Sequence, residues 1–226
     1  MEPIIPAFEI SLLDPSLSDV IMDMAELGID SCLEDGVFKS IPIVGTLIGV
    51  AKTGQHLQDR NLLRQTLEFI KAVNAGTISH EKLDQYRMKI HSDRKKAEEE
   101  LGRALIILNS TVDTQKSRIL GRLYRNYVDQ KINWQLFCEL SDVVSRLFVA
   151  DLELLLNVYK KEIISTEQCD SYKAERLSAV GLISLIQNKV EFSSSTGPNG
   201  AVETSKATKV ITLTGFGENL IRFGIL

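Results

Sequence analysis

Apolar positions along the chain recur mostly at spacings of three and four, the period of an amphipathic helix. Leu17, Val20, Ile21, Met24 and Leu27 form one such stripe behind Ser16, whose hydroxyl suits a helix start. A second stripe runs through Leu57, Leu63, Leu67 and Ile70 within residues 55–75, and Asn74-Ala75-Gly76 closes it. Ser79 predicts the cap of a helix over 80–90. Ser92 or Asp93 predicts that of another reaching residue 112, whose first half, DRKKAEEE, reads as solvated and whose second half turns Leu101, Leu105, Leu108 and Val112 inward. Further helices follow over 116–130 (Ile119, Leu120, Leu123, Tyr127), from Asn133 (Trp134, Phe137, Leu140, Val144, Phe148) and from Asp151 (Leu152, Leu155, Leu156, Tyr159). Residues 16–162 therefore predict six to eight helices with short connections, an irregular multi-helix bundle in a mainly α chain.

Two stretches break this period. Residues 1–15 carry Pro3, Pro6 and Pro15, each restricting the residue before it, and so predict an extended arm. Residues 41–51 hold no charge and a single polar side chain, Thr46. As a helix they span about 16 Å, roughly half a hydrocarbon core, too short to cross a bilayer. Ile41, Leu47 and Ile48 are candidate packing or membrane-inserting residues, and Gly45 and Gly49 form a GxxxG that permits close helix approach.

Charge changes the picture more than composition does. With 44% apolar and 25% charged residues, the 226-residue chain has the make-up of a folded protein with a core. Its net charge of −4 disfavours a globally basic nucleic-acid binder. The distribution is uneven: residues 1–40 hold nine acids and one base, residues 41–131 ten acids and sixteen bases. An acidic leader before a basic middle is consistent with solvated helix faces, with intramolecular docking, or with a masked basic surface. Arg118, Arg122 and Arg125 line one helix face, and with Arg94, Lys95, Lys96, Arg87 and Lys89 they make a candidate basic patch for anionic lipid, RNA or an acidic protein.

Cys32, Cys138 and Cys169 are odd in number and widely spaced, which predicts neither a zinc site nor a disulfide framework and fits a reducing compartment. The acidic, proline-containing start lacks the pattern of a signal peptide. The three histidines, His56, His80 and His91, pair with no local nucleophile, Arg87 and His91 fall one residue short of a helical ribonuclease spacing, and no phosphate-binding glycine motif occurs. The chain is therefore expected to be non-enzymatic, with no catalytic residue, cofactor or metal.

From about residue 163 the order becomes helix, alternating IQNKVEF strand, long polar tip, KVITL strand and short helix. Leu177, Gly181 and Leu182, followed by Leu213-Thr214 and Gly217, resemble the end of winged-helix proteins. That resemblance implies a small α+β module with a two-stranded hairpin over 163–226. Lys173, Arg176, Lys189 and Lys209 would be its nucleic-acid contacts. Asp170, Glu175, Glu191 and Glu203 offset them, which favours packing or protein contact.

The segments IPIVG, Lys52-Thr53-Gly54, Gln58-Asp59-Arg60, Phe69-Ile70, LGRLYRNYVDQKINWQLF and LFVADLELL resemble those of uncharacterised bacterial helical proteins. The layout is similar to the Abi-alpha class linked to abortive phage infection. The resemblance implies a bacterial, cytoplasmic effector of antiviral defence. Its expected partners are a protein or a second copy, with peripheral membrane contact through the apolar helix and basic patch. A nucleic-acid regulator is the alternative.

Overall fold

A computed structural model of the protein describes residues 4–17, 20–21, 41–50, 56–187 and 209–226, leaving aside the side chains of residues 15, 48–50 and 56. The described residues form ten α-helices and one small antiparallel hairpin, a mainly α chain with a minor β element. They divide into two compact units: residues 1–146 with Phe223–Leu226, and Leu147–Arg222. The division falls before the last helix of the predicted bundle, because that helix packs within the second unit.

The first unit opens with α1 (Ile4–Leu13), a helix where the prolines predict an extended arm. Pro6 sits in its first turn, where backbone N–H groups have no intrahelical acceptor, so the missing donor costs nothing there. Helix formation buries Ala7, Phe8, Leu12 and Leu13 on one side, which extended chain would leave in water. Helix α2 (Pro42–Val50) packs on α1, and Ser11 Oγ accepts the Ile43 N–H at 3.0 Å. Ile41, Ile43, Val44 and Leu47 are buried and Gly45 half-buried; the side chain of Ile48 and the environment of Gly49 lie outside the described residues.

The main packing of this unit is α3 (His56–Asn74) against α6 (Thr114–Val128). The two helices run parallel, since Gln65 meets Ser117, Glu68 meets Arg118 and Ala72 meets Arg125. They cross at Gly121, where a Cβ would lie 2.5 Å from the Phe69 carbonyl oxygen and 2.7 Å from the Ala72 Cβ. Above the crossing, buried Gln65 Nε2 donates to the Val112 carbonyl at 2.8 Å and its Oε1 accepts from Ser117 Oγ at 2.7 Å, holding the loop before α6, where Val112 itself is exposed.

Helices α4 (His80–Ser92) and α5 (Arg94–Ser110) form a hairpin turned at Asp93, which caps α5 through the Lys96 N–H at 3.1 Å. Ser79 makes no side-chain cap; its N–H donates to Asp129 Oδ1 at 3.3 Å, and Lys131 pairs with the same carboxylate at 2.9 Å. Helix α7 (Trp134–Arg146), capped by Asn133 through the Leu136 N–H at 2.8 Å, adds Phe137, Leu140 and Val144 to the core. The final residues belong to this unit: Asn126 Nδ2 donates to the Phe223 carbonyl at 2.9 Å and Arg122 to that of Ile225.

The second unit contains α8 (Leu152–Tyr159), α9 (Ser171–Ala179), β1 (Ile183–Gln187), β2 (Lys209–Leu213) and α10 (Gly215–Leu220). Strands β1 and β2 pair from Ile183↔Leu213 to Gln187↔Lys209, and Ser165 bridges to Val210. Thr214 caps α10 through the Gly217 N–H at 3.0 Å. A Cβ on Gly217 would lie 2.1 Å from the Leu182 carbonyl oxygen, so only glycine lets this helix start close against the strand.

Candidate interaction groove

The three α6 arginines of the expected basic patch each have a partner within the chain. Arg118 Nε donates to Glu68 Oε2 at 2.7 Å, a bond that raises its pKa. Arg122 holds the carbonyl of Ile225, and Arg125 Nη1 donates to that of Ala72 at 3.3 Å. Burial, with Arg122 nearby, lowers the Arg125 pKa. The three arginines lie beside the apolar stripe of α6, so their planar N–H forks reach acceptors of the packed elements and satisfy carbonyls at helix and chain ends. Arg94 pairs with Glu98 one turn along α5 at 3.2 Å, and Lys95 and Lys96 are exposed in that first turn.

The residues expected to meet nucleic acid are likewise matched by acids. Lys173 pairs with Asp170 at 3.0 Å and Lys209 with Glu175 at 3.7 Å. Arg176 grips the buried Asp151 with two bonds, Nε to Oδ2 at 2.9 Å and Nη2 to Oδ1 at 2.5 Å. Its guanidinium also lies 4.3 Å from the Phe148 ring centre and 4.9 Å from that of Tyr172. The ion pair raises the Arg176 pKa and ties α9 to the start of α8. Lys189 lies outside the described residues.

A groove between α1 and α4, of about 1020 Å³, gathers apolar and charged side chains. Its α1 wall carries Glu9 and Ile10, with Asp14 just beyond the helix; its α4 wall carries Arg87, Met88 and His91. Ile10 is 49% and Met88 65% exposed. The walls touch through Arg87, which donates to the Leu13 carbonyl, and through His91 Nδ1, 3.8 Å from Glu9 Oε1. Arg87 also pairs at 3.2 Å with Asp84, outside the groove lining. Asp14 accepts from the Ser16 hydroxyl and N–H at 2.7 and 2.9 Å, bonds that lower its pKa and keep it charged.

Lys89 joins this groove to the core. Its Nζ lies 2.6 Å from Oε1 of the buried Glu100 and donates to the Tyr127 hydroxyl. Tyr86 and Tyr124 bond to each other through their hydroxyls, and the rings of Phe69, Tyr124, Tyr127, Trp134 and Phe137 stack or meet edge to face with centres 5.1–6.1 Å apart. Burial raises the pKa of Tyr86, Tyr124 and Tyr127, so all three remain neutral phenols. Glu100 Oε2 has no hydrogen-bond partner among the described residues. The charged run DRKKAEEE predicts a solvated half-helix, yet Glu100 at its end is buried. Its spacing from Ala97 and Ala104, three and four residues, is the available sign that it shares the buried stripe.

Among the described residues, no three His, Cys, Asp or Glu side chains lie close enough to share a metal ion, and no helix is long and apolar enough to cross a membrane. Compared with protein-family models, curated proteins and solved structures, the chain matches none.

Proposed function

We propose that the chain is a non-enzymatic interaction protein, an effector of the kind the resemblance to abortive-infection proteins implies, and that the groove between α1 and α4 receives its protein partner. The observation that carries this reading is the pair of half-exposed apolar side chains, Ile10 and Met88, facing one groove between charged walls. An apolar strip rimmed by charge is the pattern of a helix-in-groove contact. Supporting it, Arg118, Arg125 and Arg176, which would otherwise draw nucleic acid or lipid, are held by acids or carbonyls of the chain itself.

The test is a photo-crosslinking residue placed at position 10 or 88, with position 153 of the second unit as control. Protein adducts specific to the groove positions are expected, together with loss of phage protection or growth arrest in cells on Met88→Asp. Absence of groove-specific adducts overturns the reading.

Peripheral membrane action is the second reading, favoured by the packing of two almost uncharged helices, α1 and α2, on each other. Flotation with anionic vesicles tests it, and a protein that stays out of the lipid fraction under all conditions excludes it.

A further inference from the structure

We infer that the helical body of the chain is a tandem duplication: residues 62–104 and 116–158 are two copies of one three-helix repeat, α3–α4–α5 and α6–α7–α8, and the buried Lys89–Glu100 pair is an addition of the first copy that the repeat fold does not require. Helix ends and burial carry this, independently of the groove between α1 and α4.

The helix ends coincide at one offset. Helix α3 ends at Asn74 and α6 at Val128, while α4 runs from His80 to Ser92 and α7 from Trp134 to Arg146, each pair of ends 54 positions apart. Burial repeats with them. From Leu63 to Val73, and again from Ser117 to Tyr127, successive residues are buried, exposed, three times buried, half-buried, twice buried, half-buried and twice buried, without an exception. Tyr86 and Ile90 of α4 hold the places of Leu140 and Val144 of α7, and all four are buried. Residues Ala97 to Ala104 of α5 match Asp151 to Val158 at every position but one, where Glu98 is exposed and Leu152 buried. Helix α8 lies in the second unit, so its match is one of pattern.

Any two amphipathic helices can be slid into agreement, because they share one period. A single offset that serves three helix pairs and three helix ends requires a common repeat. The parallel packing of α3 on α6 is also the contact that equivalent helices of neighbouring repeats make. Identical side chains are few, Arg64 with Arg118 and Ile78 with Ile132 among them, so the duplication shows in burial rather than in identity.

The copies part where charge is buried. Lys89 and Glu100 of the first copy correspond to Val143 and Leu154 of the second, and the buried Asp151 of the second corresponds to Ala97 of the first. Each buried acid stands where the other copy is apolar, so the same helices pack with the ion pair and without it.

The test gives the first copy the second copy's residues, in the full chain. Lys89→Val alone strands Glu100 and lowers the folding equilibrium about a hundredfold. Lys89→Val with Glu100→Leu, and with Tyr127→Phe so that no hydroxyl loses its donor, is expected to fold with an equilibrium constant within about twofold of wild type, or above it. Lys89→Leu with Glu100→Val and Tyr127→Phe carries the same apolar atoms in reverse order. It leaves a methylene-sized gap at the buried position 100 and is expected to be about fivefold less stable than the ordered variant. Denaturant melts followed by circular dichroism give all three values.

An ordered variant that fails to fold, or that loses as much as Lys89→Val alone, overturns the inference. So does a reversed variant as stable as the ordered one, which would mark a site tolerant of any apolar pair rather than one matched to the second copy. Crosslinking from positions 10 and 88 is a separate readout: its failure removes the interaction reading and leaves the duplication standing.

Discussion

The two units solve the problem of buried polar groups in different ways. In the first, Lys89, Glu100 and three tyrosines from α4, α5 and α6 form one network among stacked rings, so each helix fixes the register of the other two. In the second, one bidentate pair, Arg176 with Asp151, clamps α9 to the start of α8, beside backbone pairing, a close glycine contact and more exposed ion pairs at Lys173 and Lys209. A network spread over three helices makes any single polar loss felt across the unit; a lone clamp confines its effect to one junction.

The sharpest way to break this contrast is to remove one cation from each unit. Lys89→Met leaves Glu100 buried without its ammonium and is expected to cost about 3 kcal/mol. Arg176→Met strands Asp151, which is almost fully buried, and is expected to cost less than Lys89→Met because fewer neighbours depend on it. Denaturant melts of the two variants, with hydrogen exchange assigning each loss, measure the difference. Equal losses, or a loss from Lys89→Met confined to α4, would remove the distinction.

Crowding the two glycine contacts comes next. Gly121→Ala pushes apart α3 and α6, and Gly217→Ala pushes α10 off the strand, each at about 2 kcal/mol. Hydrogen exchange should locate the first loss in the first unit and the second in the second; protection lost in both units from either variant would show that they open together.

A smaller effect sharpens the account of the network. Tyr124→Phe leaves the Tyr86 hydroxyl buried without its partner and is expected to cost about 1 kcal/mol, whereas Tyr86→Phe with Tyr124→Phe recovers most of it. A double-mutant cycle by thermal melting gives the coupling directly. Independent, additive losses would mean that the two hydroxyls do not depend on each other.

The smallest effect is acid-side. Burial works against the charged carboxylate of Asp129, but Lys131, the Ser79 N–H and Lys82 outweigh it, so its pKa is lowered. Its contribution is therefore complete above the unfolded carboxylate value of about 3.9 and is lost as pH falls through the lower folded value. Asp129→Asn should flatten the stability of the first unit against pH below about 4 by under 1 kcal/mol. An unchanged acid slope would place the acid sensitivity elsewhere.

Much of the fold was legible from spacing alone. Leu101, Leu105, Leu108, Ile119, Leu120 and Leu123 are buried as their period requires, whereas Leu57, Val112 and Phe148, expected inward at the ends of their stripes, are exposed, and the caps at Asp93, Asn133 and Thr214 sit where turn chemistry places them. The groove was not legible. It needs α1, which the prolines disguised because a rule for helix interiors does not hold in a first turn. It also needs Met88 and Ile10, which lie far apart in sequence: one sits on a mostly polar helix, the other on a mostly apolar one.

What this sequence determined by itself was the helical period, the helix ends and the change to a short hairpin near the C-terminus, because those follow from interactions between residues a few positions apart. Only the tertiary structure decided what each charge does. Arg118, Arg122 and Arg125 form one stripe in the chain yet grip a glutamate, a carbonyl near the chain end and a helix carbonyl, while Glu100 leaves its charged run for the core. The physical reason is that a charged group settles where an opposite charge or unmet backbone acceptor awaits it, and such partners come from elements distant in sequence.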